Sequence, residues 1–171
     1  MLRIGYVGRV TPEKSVRFLR ELEVGLVAAG VPPFRFLIVG DGSEKEWLSQ
    51  NLAAADLVGI QRGEELARAY ANMDVFVFPS RTDTFGNVVL EAFASEVPAV
   101  VTNAGGPKFI VNDGVSGYVA QSDAAFIECT ARLLRDAMLR RNMALAARAQ
   151  ASGESWDTVF EKVYEGYHTA L

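Results

Sequence analysis

The sequence predicts an α/β fold in which a mostly parallel, six-stranded sheet carries helices on both faces. Six short apolar runs, rich in β-branched and aromatic residues, alternate with stretches of helical spacing. Val75–Phe78 is apolar at every position, as expected of a strand that is buried on both faces. Glycine, proline or aspartate follows most of the runs and marks turns. Together these observations indicate a doubly wound, Rossmann-like domain.

The first half of the chain supplies three of the strands. Apolar residues at helical spacing predict the first helix, and Ser43 with Glu46 three residues later predicts a capping box for the second. In chain order the predicted elements are a strand at Leu2–Gly8, a helix from about Lys14 to Ala29, a strand at Phe34–Val39, the capped helix with Trp47 and Leu48, a strand at Leu57–Ile60 and a helix from about Glu64 to Asn72.

The second half of the chain continues the alternation. Its predicted elements are a strand at Val75–Phe78, a helix at Asn87–Ala94, a strand at Ala99–Val101, a short helix after Gly106 through Val111, a strand at Ser116–Ala120, a long helix from Asp123 into the 140s and a final helix at Ser155–Tyr167.

Composition narrows the classes of function. A length of 171 residues with half of them hydrophobic suits one globular domain, residues 1–171. A net charge of −4 without a basic cluster argues against nucleic acid as a partner. No apolar run approaches the roughly 20 residues of a membrane span, and no leader is visible, so we expect a cytoplasmic protein. The single Cys129 and single His168 exclude an internal disulfide, a Ser-His-Asp triad and a multi-histidine zinc site.

The segment Asp74–Ala99 contains the most unusual chemistry. Gly86 exposes backbone at the start of a predicted helix, just beyond a strand end, where unpaired N–H groups and the helix dipole favour an anion. The helix is apolar on almost all sides, so we expect protein to cover most of it, yet it carries Glu91. Asp83 lies in the preceding loop. A phosphate at the helix start, with a carboxylate on each side for hydroxyl groups, is the chemistry of a nucleotide-sugar.

The residues Asp83–Ala92, DTFGNVVLEA, resemble the signature of the family-four glycosyltransferases. The family motif is Glu, seven residues, Glu; this chain has Asp83 in the first place and Glu91 in the second. The resemblance implies one half of a GT-B fold, a retaining enzyme in which this C-terminal domain binds a nucleoside-diphosphate-sugar and a separate N-terminal domain holds the acceptor. It implies no required metal or other cofactor. It also allows peripheral membrane contact through the N-terminal domain, at the inner face of the membrane.

Loops after the strands supply the remaining candidates. Arg9 and Lys14 follow Gly8 at the end of the first strand, and two cations there could clamp a diphosphate. The loop Gly40-Asp41-Gly42 lacks the third glycine of a dinucleotide fingerprint, and acidic residues follow it, so we expect a tight turn with close backbone approach. Gly105 and Gly106 precede Pro107, which favours the first position of a helix.

The resemblance assigns roles to these positions. Arg9, Lys14, Asp83 and Glu91 would be the catalytic set, with Asp83 binding the donor sugar and Glu91 the ribose. The loop with Ile60 would meet the nucleobase through its backbone. The implied donor-binding residues are Gly8, Gly40, Asp41, Gly42, Ile60, Thr84, Phe85, Gly86, Asn87, Val88, Gly105 and Gly106.

The chain also departs from the family pattern. Asp83 is one methylene shorter than the usual glutamate, Phe109 replaces a frequent glutamate, and Glu96 occupies a position usually held by glycine. At a positive φ, Glu96 would cost on the order of 1 kcal/mol. Two other functions remain open: half of a nucleotide-sugar epimerase, which would use the same diphosphate loops, and a non-catalytic nucleotide-binding or regulatory domain. A receiver domain needs acidic residues after the first strand, where this chain has Arg9.

Overall fold

A computed structural model describes residues 1–153, and the predicted helix at Ser155–Tyr167 lies outside that range. Six parallel strands form one sheet, so the predicted α/β architecture and strand number are confirmed. The strands are β1 (Leu2–Val7), β2 (Phe34–Val39), β3 (Ala55–Gly59), β4 (Val75–Phe78), β5 (Ala99–Thr102) and β6 (Gly117–Ala120).

The strand order is β3-β2-β1-β4-β5-β6, so the chain reverses its direction of winding between β1 and β4. Ile4 of β1 pairs with Phe36 of β2 on one side and with Val75 of β4 on the other. All residues of β4 and β5 are buried, because helices cover both faces of the sheet at its centre. Ligands of such sheets bind beyond the carboxyl ends of the strands where the order switches, which here means the loops after β1 and β4.

Seven α-helices and one short 3-10 turn accompany the strands within residues 1–153, and the last two helices follow β6. These elements are the 3-10 turn at Pro12–Lys14 and the helices α1 (Phe18–Ala28), α2 (Lys45–Asn51), α3 (Gly63–Ala71), α4 (Asn87–Ala94), α5 (Pro107–Ile110), α6 (Asp123–Arg135) and α7 (Ala137–Gly153). No helix in this part of the chain combines the length and apolar character needed to cross a bilayer.

The first predicted helix starts too early. Pro12 opens a separate 3-10 turn, and Ser15 ends it in a left-handed conformation with φ 55°. The α1 helix begins only at Phe18. Lys14 is therefore the last residue of a tight turn rather than part of a helix, and its side chain is mostly buried.

The predicted capping box at Ser43 is wrong. Glu44 is the N-cap residue of α2, and no side chain caps that end. The Glu44 amide donates to the Val10 carbonyl at 2.9 Å, while its carboxylate pairs with Arg17. These tertiary contacts fix the loop and override the local capping pattern.

The long helix predicted from Asp123 is two helices. Asp136 adopts an extended conformation, with φ −106° and ψ 95°, between α6 and α7. Its carboxylate accepts from the Leu139 amide at 2.9 Å. Asp136 thus caps the start of α7, a competition between side chain and backbone that hydrophobic spacing does not reveal.

Candidate functional site

A cleft of about 340 Å³ opens at the switch between β1 and β4. The loop after β1, the loop after β4 and the first turn of α4 form its walls. Nine of the predicted site residues line it together with Val7 and Phe78: Gly8, Arg9, Lys14, Asp83, Thr84, Phe85, Gly86, Asn87 and Val88. Residues far apart in sequence therefore meet here because the parallel sheet brings the ends of β1 and β4 side by side.

The two cations of the cleft differ in exposure. The Lys14 side chain is only 10% exposed, and its Nζ donates to Asp83 Oδ2 at 2.7 Å. The Arg9 side chain is 69% exposed and lies 3.5 Å from the Glu13 carboxylate. Lys14 is a fixed charge in the wall of the cleft, whereas the Arg9 guanidinium can turn toward a ligand at little cost.

Tyr6 supports the loop after β1 that contains Arg9. It is fully buried in β1, and its phenol donates to the Arg9 carbonyl at 2.7 Å. Burial, and after it the negative charge of Asp83, raises the pKa of Tyr6. The phenol consequently remains a hydrogen-bond donor throughout the neutral range. Tyr6 lies within a predicted strand, and no local sequence signal reveals the contact that its hydroxyl makes.

The start of α4 forms the opposite wall. Gly86 is its N-cap residue, with φ 70° and ψ 46°, a left-handed conformation that favours glycine. A Cβ at this position would lie 2.7 Å from Pro107 Cγ, so the loop and α5 are packed too closely for a side chain. The first amides of α4 then carry the partial positive charge of a helix N-terminus beside the two cations.

Glu91 lies one turn further along α4 and does not line the cleft. It is exposed, and Asn87 and Ala94 on the same narrow face are exposed too. The other five residues of α4 are buried or half-buried, so the prediction that protein covers most of this helix is confirmed. The partner of Glu91 is Tyr70 on α3, whose phenol donates to Glu91 Oε2 at 2.7 Å. Sequence reasoning missed Tyr70, because a tyrosine in an amphipathic helix carries no distinguishing local signal.

The glycine pair of the fourth loop shapes the cleft without lining it. The Gly106 amide donates to the Asp83 carbonyl at 2.8 Å. A Cβ on Gly106 would lie 1.6 Å from the Thr84 carbonyl oxygen, and one on Gly105 would lie 2.5 Å from that of Asp83. The two glycines therefore let the loop after β5 support the loop that carries Asp83.

The second loop has a similar supporting position. A Cβ on Gly40 would lie 1.8 Å from the Gly8 carbonyl oxygen, and one on Gly42 would lie 2.3 Å from that of Val10. This is the close backbone approach that the sequence predicts. Asp41 is exposed and accepts from the Gly42 amide at 2.9 Å. Ile60, just after β3, has 62% of its surface exposed and stands apart from the cleft.

The chemistry of the cleft is that of an anion site. Two cations and a helix start converge on it, while Asp83 supplies a carboxylate at its edge. Within residues 1–153, no three His, Cys, Asp or Glu side chains are grouped so that they could hold a metal ion.

The known proteins that resemble this chain in sequence are glycosyl transferases. A family model described as "Glycosyl transferases group 1" matches residues 2–136. The GDP-mannose-dependent alpha-mannosyltransferase of Mycobacterium tuberculosis is 37% identical over 167 residues, which cover 96% of this chain and 42% of that protein. Sulfoquinovosyl transferase SQD2 of Arabidopsis thaliana is 34% identical, with 96% and 33% covered. The chain thus spans about two fifths or less of the length of these relatives.

Solved structures share the fold. The pneumococcal O-GlcNAc transferase GtfA, in complex with UDP and GlcNAc, superposes with a TM-score of 0.79 at 21% identity, covering 98% of this chain and 35% of that one. Anabaena HepE, in complex with UDP and glucose, gives a TM-score of 0.77 at 21% identity, with 98% and 48% covered.

Proposed function

Because the chain belongs to the group 1 glycosyl transferase family, we propose that it binds the nucleoside-diphosphate-sugar donor for retaining transfer to an acceptor held elsewhere in a longer protein. The observation that carries the proposal is the meeting of Arg9, Lys14 and the start of α4 around one cleft. A diphosphate is the part of such a donor that needs several positive groups at once.

The cleft residues have distinct roles in this proposal. Arg9 and the amides after Gly86 bind the diphosphate, and Lys14 contributes a charge held in place by its burial. These groups also stabilise the negative charge that develops on the leaving diphosphate, so the transfer needs no metal ion. Asp83 binds hydroxyl groups of the donor sugar, and Glu91 binds the ribose. Turnover requires the acceptor-binding part, so the chain alone binds donor weakly and has negligible activity.

The names of the relatives, rather than the cleft, guide the choice of the first nucleotide to test. Three relatives at 32–37% identity are named GDP-mannose-dependent alpha-mannosyltransferases. We therefore take GDP as the first nucleotide to test, with UDP and ADP beside it.

Calorimetric titration of the chain with GDP, UDP and ADP tests the proposal. We expect one of the three to bind preferentially and Arg9→Ala to weaken that binding about tenfold, the loss expected for one charged contact. Arg68→Ala is the matched control, since Arg68 is also exposed and pairs with a glutamate four residues away, Glu64 at 3.4 Å. Its affinity should equal that of the parent chain.

Two outcomes would contradict the proposal. The first is a folded chain that binds none of the three nucleotides at millimolar concentration. The second is an Arg9→Ala variant with parental affinity, which would remove the cationic loop from the site. The Arg9→Ala and Arg68→Ala variants should melt at the parental temperature, because both arginines are exposed.

A further inference from the structure

Glu91 is held by a single side chain that belongs to another helix. The Tyr70 phenol donates to Glu91 Oε2 at 2.7 Å and also lies 3.2 Å from the Val88 carbonyl oxygen, one turn earlier on α4. Among residues 1–153 Glu91 has no ion pair, and its other oxygen, Oε1, has no hydrogen-bond donor. One oxygen is thus tethered by the protein while the other remains available at the surface.

Tyr70 itself is fixed. Only 2% of its surface is exposed, and its ring lies 5.9 Å, between centroids, from that of Phe76 in β4. Its carbonyl accepts from the Met73 amide at 3.0 Å, at the end of α3. Burial, and then the hydrogen bond to Glu91, raises the pKa of Tyr70, so the phenol is a hydrogen-bond donor near neutral pH. A buried, permanent donor therefore faces an exposed carboxylate.

We propose that Tyr70 is a positioning residue that orients Glu91 toward the ribose hydroxyl groups of the bound nucleotide. The inference rests on the proposed function, in which Glu91 binds the ribose. An exposed glutamate ordinarily samples several rotamers, and binding must then restrict them. The phenol restricts them before the ligand arrives and leaves Oε1 as the hydrogen-bond acceptor. Four residues of α4 rise about 6 Å, so Glu91 lies at the distance of a sugar ring from the cleft-lining Asn87.

The proposal predicts an effect on ribose recognition alone. We would measure the affinities of GDP and of 2′,3′-dideoxy-GDP, which lacks both ribose hydroxyl groups, for the parent chain and for Tyr70→Phe. The parent should favour GDP about tenfold, as expected for a hydrogen bond to a charged group. Tyr70→Phe keeps the buried ring and should lower that ratio to about twofold, by weakening GDP and leaving dideoxy-GDP unchanged.

Two further variants separate positioning from a merely structural role. Tyr6→Phe removes a buried phenol of the same kind that donates to the Arg9 carbonyl instead, so it should change both affinities by the same factor and keep the tenfold ratio. In a Glu91→Ala background the ratio is expected to be close to one, and adding Tyr70→Phe should not alter it, because Tyr70 acts through Glu91.

The outcomes distinguish this inference from the function on which it rests. A parent chain that favours GDP and a Tyr70→Phe variant with the same ratio would overturn the role of Tyr70 while leaving the nucleotide site intact. Equal weakening of GDP and dideoxy-GDP by Tyr70→Phe would make the hydroxyl structural, which also overturns it. A parent chain that binds both nucleotides equally, or neither, would remove the ribose contact itself, and the inference with it.

Discussion

The two carboxylates of the Asp83–Glu91 motif lie eight positions apart and have opposite surroundings. Asp83 is 21% exposed and accepts a hydrogen bond from a lysine ammonium that is 10% exposed. Glu91 is exposed and accepts from a neutral phenol. The Asp83 carboxylate is paired with a cation of the protein, whereas the Glu91 carboxylate has no cationic partner among residues 1–153. Identical charge in one sequence motif therefore does not mean equivalent chemistry.

The difference arises from what carries each acid. Asp83 lies in a loop, and its backbone carbonyl accepts a hydrogen bond from the Gly106 amide. The turn that contains the buried Lys14 is close to this loop. Glu91 lies on the outer face of a regular helix. The loop acid is therefore coupled to the stability of the cleft, and the helix acid is not.

Replacing Lys14 should have the largest effect. Lys14→Met leaves Asp83 without its cation in a mostly buried place, and we expect a loss of about 2 kcal/mol in the free energy of unfolding, below the value for a fully buried pair because Asp83 keeps some water. Urea denaturation measures this loss. The double variant Lys14→Met, Asp83→Asn should recover most of it, because the uncompensated charge is then gone.

Lys45→Met is the matched control for that measurement. Lys45 lies 3.9 Å from Asp41 in an exposed pair, so its replacement should change the unfolding free energy by less than about 0.5 kcal/mol. If Lys14→Met were as mild as the control, Asp83 would be solvated like Glu91, and the contrast between the two acids would disappear.

Neutralising each acid separately should give different results with inorganic pyrophosphate. Asp83→Asn releases Lys14 from its counter-ion, so we expect pyrophosphate to bind about three- to tenfold more tightly, at a stability cost of about 1 kcal/mol. Glu91→Gln should leave both quantities at parental values, since Glu91 is exposed and contacts neither cation. Calorimetry gives the affinity, and thermal melting gives the stability. Equal gains in both variants would show that only net charge matters.

The sequence predicts the central strands β4 and β5 well because burial on both faces leaves an uninterrupted apolar run in each. It also predicts which residues form the cleft, because the strand order places the loops after β1 and β4 together. The motif Asp83–Glu91 and the cations Arg9 and Lys14 are visible as residue types. What local patterns do not contain is which group each of them meets.

Apart from the local break at Asp136 and the turn at Pro12–Lys14, the failures share one physical cause, which is tertiary contact between segments distant in sequence. The Lys14–Asp83 pair spans 69 positions, and the Tyr70–Glu91 bond joins two helices across β4. The predicted cap at Ser43 fails because Glu44 is already engaged by Val10 and Arg17. Propensity and spacing describe neighbours along the chain, so they cannot rank such contacts against local ones.

The smallest expected effect on stability concerns Glu96, just beyond the end of α4. Glu96 follows α4 at φ 63°, and the Val97 amide donates to the Ala92 carbonyl at 3.0 Å, which completes a Schellman C-cap with glutamate where glycine is favoured. The sequence anticipates this strain if φ is positive, and the structure shows that it is. Glu96→Gly should therefore raise the free energy of unfolding by about 0.5–1 kcal/mol.

Glu96→Ala separates backbone strain from the loss of a side chain, because alanine has a Cβ and should give little or no gain. Neither variant should alter pyrophosphate affinity or the ratio of GDP to dideoxy-GDP affinity, since Glu96 lies beyond the end of α4 and takes no part in the Tyr70–Glu91 hydrogen bond. A change in that ratio with Glu96→Gly would mean that the position of Glu91 depends on the whole helix rather than on the Tyr70 phenol. If Glu96→Gly stabilises the chain and leaves the ratio unchanged, ribose recognition depends on the Tyr70–Glu91 contact alone. Glu91 and Asp83 would then differ in mechanism as well as in exposure.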